Sequence, residues 1–274
     1  MKRTMTVITG LLVCLFIVTT LSPFIAYAES GQQTKKSKSD QIPESVIDIT
    51  KENTYPNPTQ DVPRLQPSKL TSQLLSSTDV KIDNPDLIKM MNESTIKSSK
   101  LGVGTNISIY LGEWPLSYES EDTMVNWDFE KINTNMVDNR GGSDKKKIQF
   151  NQQQQKRVKG GLTADMSDAE MVKKMMLKEA AERTKLPLSF STTIGFGTQT
   201  DRVYDVAPKT MGYLMAYAPA VNEKGKITYG EVYLKVKRGN AALEIKNVTR
   251  QGVGAWIPIQ DYLNLKLEST KQPR

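Results

Sequence analysis

Apolar residues recur at every second position over several long stretches, and this spacing constrains the fold more than any other feature of the chain. Ile107, Ile109 and Leu111 alternate with Asn106, Ser108 and Tyr110, and Val125, Trp127 and Phe129 alternate with Asn126, Asp128 and Glu130. Ile148, Phe150, Gln152 and Gln154 continue the habit. Val232, Leu234 and Val236 alternate with Glu231, Tyr233, Lys235 and Lys237. Each run fits a strand with one buried and one wet face. Leu188 to Ile194 fits another strand, ended by Gly195-Phe-Gly197, and Met211 to Ala218 is apolar on both faces, as a central strand would be. Turn signals fall at Asn139-Arg-Gly-Gly-Ser143, Asn222-Glu-Lys-Gly225 and Arg238-Gly-Asn240. The last of these should close a hairpin onto Leu243 and Ile245. Trp256, Ile257 and Ile259 complete the core, and Leu263, Leu265 and Leu267 form a final strand.

Helical spacing is scarcer. Pro85 to Asn92 fits a short helix with proline in its first turn. Ser167-Asp-Ala-Glu170 matches a capping box, with Ser167 as N-cap, and Val172, Met175, Met176 and Ala180 follow at helical spacing. Pro187 ends this helix. The expected fold class is therefore α+β: a mostly antiparallel sheet covered by one long amphipathic helix, after a disordered N-terminal segment.

The N-terminus sets the expected compartment. Lys2 and Arg3 precede an uncharged run from Thr4 to Ala28 that ends in Ala26-Tyr27-Ala28. That order is a secretory signal peptide cleaved before Glu29; the alternative is an uncleaved helix that anchors the chain. Cys14 is the only cysteine and lies inside the apolar core, so the processed chain would hold none and rely on its core alone. Residues 29–78 carry a polar stretch and Pro43, Pro56, Pro58, Pro63 and Pro67, which favours a largely disordered linker. Within it, Val46-Ile47-Asp48-Ile49 allows an added edge strand. The expected organisation is signal peptide 1–28, linker 29–78, one domain over 79–268 and a flexible tail 269–274.

The chemistry open to the chain is narrow. It has no histidine, which excludes Ser-His-Asp and Cys-His nucleophilic sites. No metal or cofactor site is expected, since neither His/Cys clusters nor a calcium-loop pattern is present. Ser94-Thr-Ile-Lys97 and Ser143-Asp-Lys-Lys146 match S-x-x-K without the companion motifs of penicillin-binding enzymes. Glu119, Glu121, Asp122, Asp128 and Glu130 are the carboxylates available to a cell-wall glycosidase or transferase, the alternative to a non-enzymatic role; a solvated strand face is the simpler reading of them, with Asp128 and Glu130 on one wet face beside Lys131.

Charge is more informative. The net charge is +7, falling to +5 without Lys2 and Arg3. Lys145, Lys146, Lys147, Lys156, Arg157 and Lys159 concentrate six positive charges in fifteen residues around Gln152 to Gln155. This arm suits an anionic cell-wall polymer or a membrane surface; nucleic acid is not expected outside the cell. Gln152 and Gln154 are candidate polar ligand contacts. A solubilising edge that deters aggregation would look the same in sequence.

The Lys-Arg start, the proline-rich spacer and the segment Ile148-Gln-Phe-Asn-Gln-Gln-Gln-Gln-Lys-Arg157 resemble the YfkD-like family of secreted Bacillus proteins. The resemblance implies a compartment and a host group, and it carries over no functional residue. A secreted or envelope-associated protein with a binding or structural role is the expectation.

Overall fold

The computed structural model describes residues 42–58, 65–94, 106–237 and 240–272, which belong to one compact unit spanning Ser37–Arg274. The signal segment 1–28, Cys14 and Lys97 lie outside the described residues. In chain order the elements are β1 (Val46–Asp48), α1 (Lys69–Leu75), α2 (Pro85–Glu93), β2 (Asn106–Asp138), β3 (Lys146–Asn151), β4 (Lys156–Lys159) and β5 (Gly161–Leu162). Then follow α3 (Ala169–Thr184), β6 (Ser191–Ile194), β7 (Gln199–Val206), β8 (Met211–Lys237), β9 (Asn240–Pro258) and β10 (Tyr262–Thr270).

The main sheet is antiparallel, in the order β1-β10-β8-β9-β5, with β2 along the other side of β8. Two of its strands are far longer than the period-two runs suggested: β2 has 33 residues and β8 has 27. The turn expected at Asn222–Gly225 is the middle of β8. Asn222 faces Met124 and Trp256, and Gly225 faces Ser120 and Val253, so both edges of this segment are paired. Gly225 serves close packing: a Cβ there would stand 2.1 Å from the Glu119 carbonyl oxygen. The turn at Asn139 does form, where its buried side-chain amide donates to the carbonyls of Asp144 and Val206 at 2.8 and 3.1 Å.

β8 threads three apolar clusters in succession. Leu214, Ala216 and Ala218 lie against Ile148, Phe150, Val158 and Ile194. Val221, Ile227 and Tyr229 lie against Val172, Met175, Met176 and Ala180 of α3. Val232, Leu234 and Val236 lie against Leu74, Leu87, Ile88 and Met91 of α1 and α2. The buried positions are odd-numbered at Ile227 and Tyr229 and even-numbered at Val232 and Leu234, with the pairing to β9 shifted between Tyr229 and Glu231. α2 and α3 meet through the Asp86–Lys174 ion pair at 2.9 Å, so both helical caps sit side by side on the sheet. The irregularity at Gly230 is what lets alternating side chains serve neighbouring caps.

The fold-class expectation is corrected here. The described residues are dominated by antiparallel sheet, with three short helices of 7, 9 and 16 residues. A 16-residue helix spans ~24 Å, whereas a 27-residue strand runs for ~90 Å, so α3 covers about a quarter of β8. A bent β-ribbon and the α1–α2 pair cover the rest. α3 also starts differently. Its N-cap is Asp168, in the left-handed region at φ 52° with no side-chain cap bond, and Glu170 pairs with Lys173 at 2.7 Å instead of reaching back. Ser167 is exposed and contributes its backbone carbonyl to the Tyr229 hydroxyl at 3.0 Å.

The linker expectation changes as well. β1 pairs with β10, Val46 opposite Asn264, and Ile49 is fully buried, while α1 buries Leu74. The apolar patch outweighs the surrounding prolines because Ile49 enters the same cluster as Phe150 and Leu263. The folded part therefore includes described residues before 79, and β10 runs to Thr270.

Two substitutions separate the corrected helix from the expected one. Val172→Asp should cost about 3–5 kcal/mol, because it places a charge among fully buried apolar side chains. Ser167→Ala should cost less than about 0.5 kcal/mol, since no cap bond is lost. Denaturant unfolding of both variants checks this; a costly Ser167→Ala would restore the capping box.

Candidate functional site

Strands β3 and β4 form a continuous path bent at Gln152, and β7 and β6 form its antiparallel partner. Lys146 faces Val206 at one end and Lys159 faces Ser191 at the other. The bend is held by backbone bonds from Gln152 N to Thr198 O and from Gly197 N to Gln152 O, both 2.9 Å. Ile148, Phe150 and Val158 point into the core, so their neighbours in sequence point outward. Alternation explains the outward display of Lys147, Arg157 and Lys159, whereas Lys146 and Lys156 share the parity of the buried side chains at the strand starts and Lys145 precedes β3.

The six cations are displayed but differ in how free they are. Lys145 lies 3.3 Å from Asp205, and Lys156 lies 2.8 Å from Glu130. Lys146 donates to the Asp138 carbonyl at 3.0 Å, and Arg157 Nε donates to Ser191 Oγ at 2.8 Å. Lys147 and Lys159 are exposed and form no ion pair among the described residues. The arm is thus two short cationic stretches either side of a bend. Gln154 is exposed, but Gln152 is only 1% exposed. Gln152 is corrected from a ligand contact to a corner residue, whose Nε2 donates to the Gln154 carbonyl at 2.7 Å. The alternation through Ile148 and Phe150 already put it on the buried face.

Three of the carboxylates considered for hydrolysis are each tied to a lysine. Asp128 is tied to Lys266 and Asn264 on β10, Glu130 to Lys156 on β4, and Glu121 to Lys226 on β8. Ser143 donates to Asp144 at 3.0 Å while Lys146 reaches Asp138, so this S-x-x-K does not form a nucleophile pair.

One buried polar cluster escaped sequence reasoning. Glu223, inside the segment that looked like a turn, is 0% exposed and accepts 2.7 Å hydrogen bonds from the Tyr118 and Thr123 hydroxyls. Arg183 of α3 caps the neighbouring Ser120 carbonyl at 3.1 Å. Burial first, and then the bond to Glu223, push the Tyr118 phenol far above the ordinary tyrosine range. The only available signal was an acidic residue between two apolar stretches that proved to be one strand. With both carboxylate oxygens occupied by hydroxyls from β2, the cluster clamps β2 to β8 at mid-sheet.

Glu223→Ala should lower stability by about 3 kcal/mol, because it removes the shared acceptor of two hydroxyls, one of them buried; Glu223→Gln should lose less than half of that. Tyr118 adds a pH dependence. The folded form keeps a phenolic proton that the unfolded chain has lost above about pH 10, so stability falls as pH rises beyond that point. Tyr118→Phe removes this titration and should flatten the alkaline fall, measured as midpoint denaturant against pH; an unchanged slope would mean that Tyr118 titrates as an exposed phenol.

Residues 43–274 match the family model described as YfkD-like protein. A Bacillus subtilis (strain 168) protein described as uncharacterized protein YfkD is 55% identical over 243 residues, covering 89% of this chain and 92% of that one. Among solved structures, an aerolysin-like protein of Bombina maxima aligns with 61% of this chain and 99% of its own at 9% identity and a TM-score of 0.15, a likeness too slight to inform the fold. By the extent of the family match and the identity to its Bacillus subtilis relative, the chain belongs to the YfkD-like family.

Proposed function

We propose that the protein acts outside the cell or on the envelope, without catalysis, by binding an anionic wall polymer or membrane surface through the bent ribbon. The observation that carries this is the outward display of Lys147, Arg157 and Lys159 on strands whose alternate residues are locked into the core. Rigid strands hold these charges at fixed spacing, which favours a repeating anionic surface over a single small anion. Ion pairing of Asp128, Glu130 and Glu121 to lysines of three different strands supports binding over carboxylate-driven hydrolysis.

Charges more than a Debye length away, ~8 Å at physiological salt, are largely screened. Local cations on the ribbon, not the net charge, therefore govern contact. Replacing Lys145, Lys146, Lys147, Lys156, Arg157 and Lys159 with Gln should leave the melting temperature within a few degrees of the parent. Release of this variant from intact cells should occur at markedly lower salt. Identical retention of parent and variant over the whole salt series would reduce the ribbon to a solubilising surface. The location is tested separately: N-terminal sequencing of the protein from medium or wall fractions should begin at Glu29. Full-length chain confined to the membrane would overturn cleavage.

A further inference from the structure

At the bend of the ribbon the fold holds an aromatic side chain out in solvent on a tightly fixed loop. Phe196 is 69% exposed, the highest value for any large apolar residue among those described. Its backbone is anything but loose. The Phe196 carbonyl accepts from the Thr54 hydroxyl at 2.8 Å, Gly195 N donates to Asn53 Oδ1 at 3.0 Å, and Gly197 N donates to Gln152 O at 2.9 Å. Gly197 sits at φ +79°, where a side chain would be strained, and a Cβ on Gly195 would meet Thr54 Oγ1 at 2.1 Å and the Tyr55 amide at 2.8 Å. The 53–57 segment is fastened in turn. Asn53 and Asn57 both donate to the Thr193 carbonyl and to Asp261, at distances of 2.7 to 2.9 Å. Tyr55, 41% exposed, stands on this segment beside Gly195.

An apolar ring left in water forgoes the burial that usually stabilises a phenylalanine, while the bonds around it remove the freedom to fold it inward. The third strand of chain at this corner is Gln153-Gln-Gln155, all exposed, each amide offering both donors and acceptors. No charge falls between Asn151 and Gln155, and the next cation, Lys156, is neutralised by Glu130.

We infer that this corner is a subsite for an uncharged glycan strand: Phe196 and Tyr55 offer ring faces to the C–H surfaces of sugar rings, and the glutamine amides match their hydroxyl and acetamide groups. The inference rests on the envelope reading above and names the polymer backbone that the corner takes, distinct from the anionic groups the flanking cations face. Charge complementarity decides between occupants. An anionic lipid surface would call for unpaired cations at the corner, and those lie on the arms of the ribbon instead. Rigid aromatic side chains suit recognition because little conformational freedom is lost on binding.

The test is calorimetric titration of the purified full-length chain with a β-1,4-linked N-acetylglucosamine tetrasaccharide. Phe196→Ala should weaken binding at least tenfold with an unchanged melting temperature, Phe196→Trp should preserve it, and Gln154→Ala should weaken it a few-fold. The six-cation Gln variant should bind the tetrasaccharide like the parent, so loss of salt-sensitive retention and loss of glycan binding report on different readings. Absence of binding by the parent, or equal affinity of Phe196→Ala and parent, overturns the subsite. Binding to phosphatidylglycerol vesicles that disappears in Phe196→Ala overturns it too, and makes the tip a membrane contact.

Discussion

Everything in the described fold hangs on a single central strand with neighbours on both sides. β8 pairs with β2 over its whole length and with β10 and then β9 on the other side. Its side chains supply part of each of the three apolar clusters. A break anywhere in it would separate caps that never cover the same stretch of sheet. This explains why the strand tolerates sequence that looks like a turn. Backbone groups at Asn222 to Gly225 are paired on both edges, and small Gly225 lets β2 approach closely.

Mid-sheet polarity is handled by satisfaction, not exclusion. Taking a carboxylate to zero exposure is expensive unless its oxygens are occupied. Glu223 meets that condition with hydroxyls from Tyr118 and Thr123, two residues of the neighbouring strand. An apolar residue there could pack but would take away the carboxylate acceptor of the buried Tyr118 hydroxyl. The polar clamp therefore specifies alignment: sliding β2 by one residue would turn Tyr118 to the opposite face.

Much of the local pattern was legible. Spacing located the β8–β9 hairpin, with Leu234 opposite Leu243 and Val232 opposite Ile245, and the buried residues Val172, Met175, Met176 and Ala180. It also put Lys147, Arg157 and Lys159 on strands opposite their buried apolar neighbours. What was not legible depends on partners remote in sequence. The continuity of β2 across Gly112 and Pro115 is tertiary: Gly112 bulges at φ 112°, and the Pro115 carbonyl accepts from the buried Asn84 amide at 2.6 Å. Local propensity reads both residues as breakers, and only the long partner strand overrides them. The same holds for Ser167, whose capping pattern is intact in sequence and unused in the fold. The Phe196 corner joins segments near 54, 153 and 196, so no window of sequence displays it.

The pairing of β1 with β10 has a kinetic consequence. Val46 contacts Asn264 across most of the chain, and β2 cannot complete its ladder until β8 is available. Such a topology has high contact order, and the loop-closure entropy of these distant pairings must be met before they stabilise anything. Folding should therefore be slow and late, with little native sheet formed while the chain is still incomplete. Among the described residues β2 pairs only with β8, so its outer edge stays open, and the five register irregularities of that pairing, together with Pro115, interrupt the straight hydrogen-bonding template that another chain would need. The irregularities that look like defects in the sheet are safeguards for its open edge.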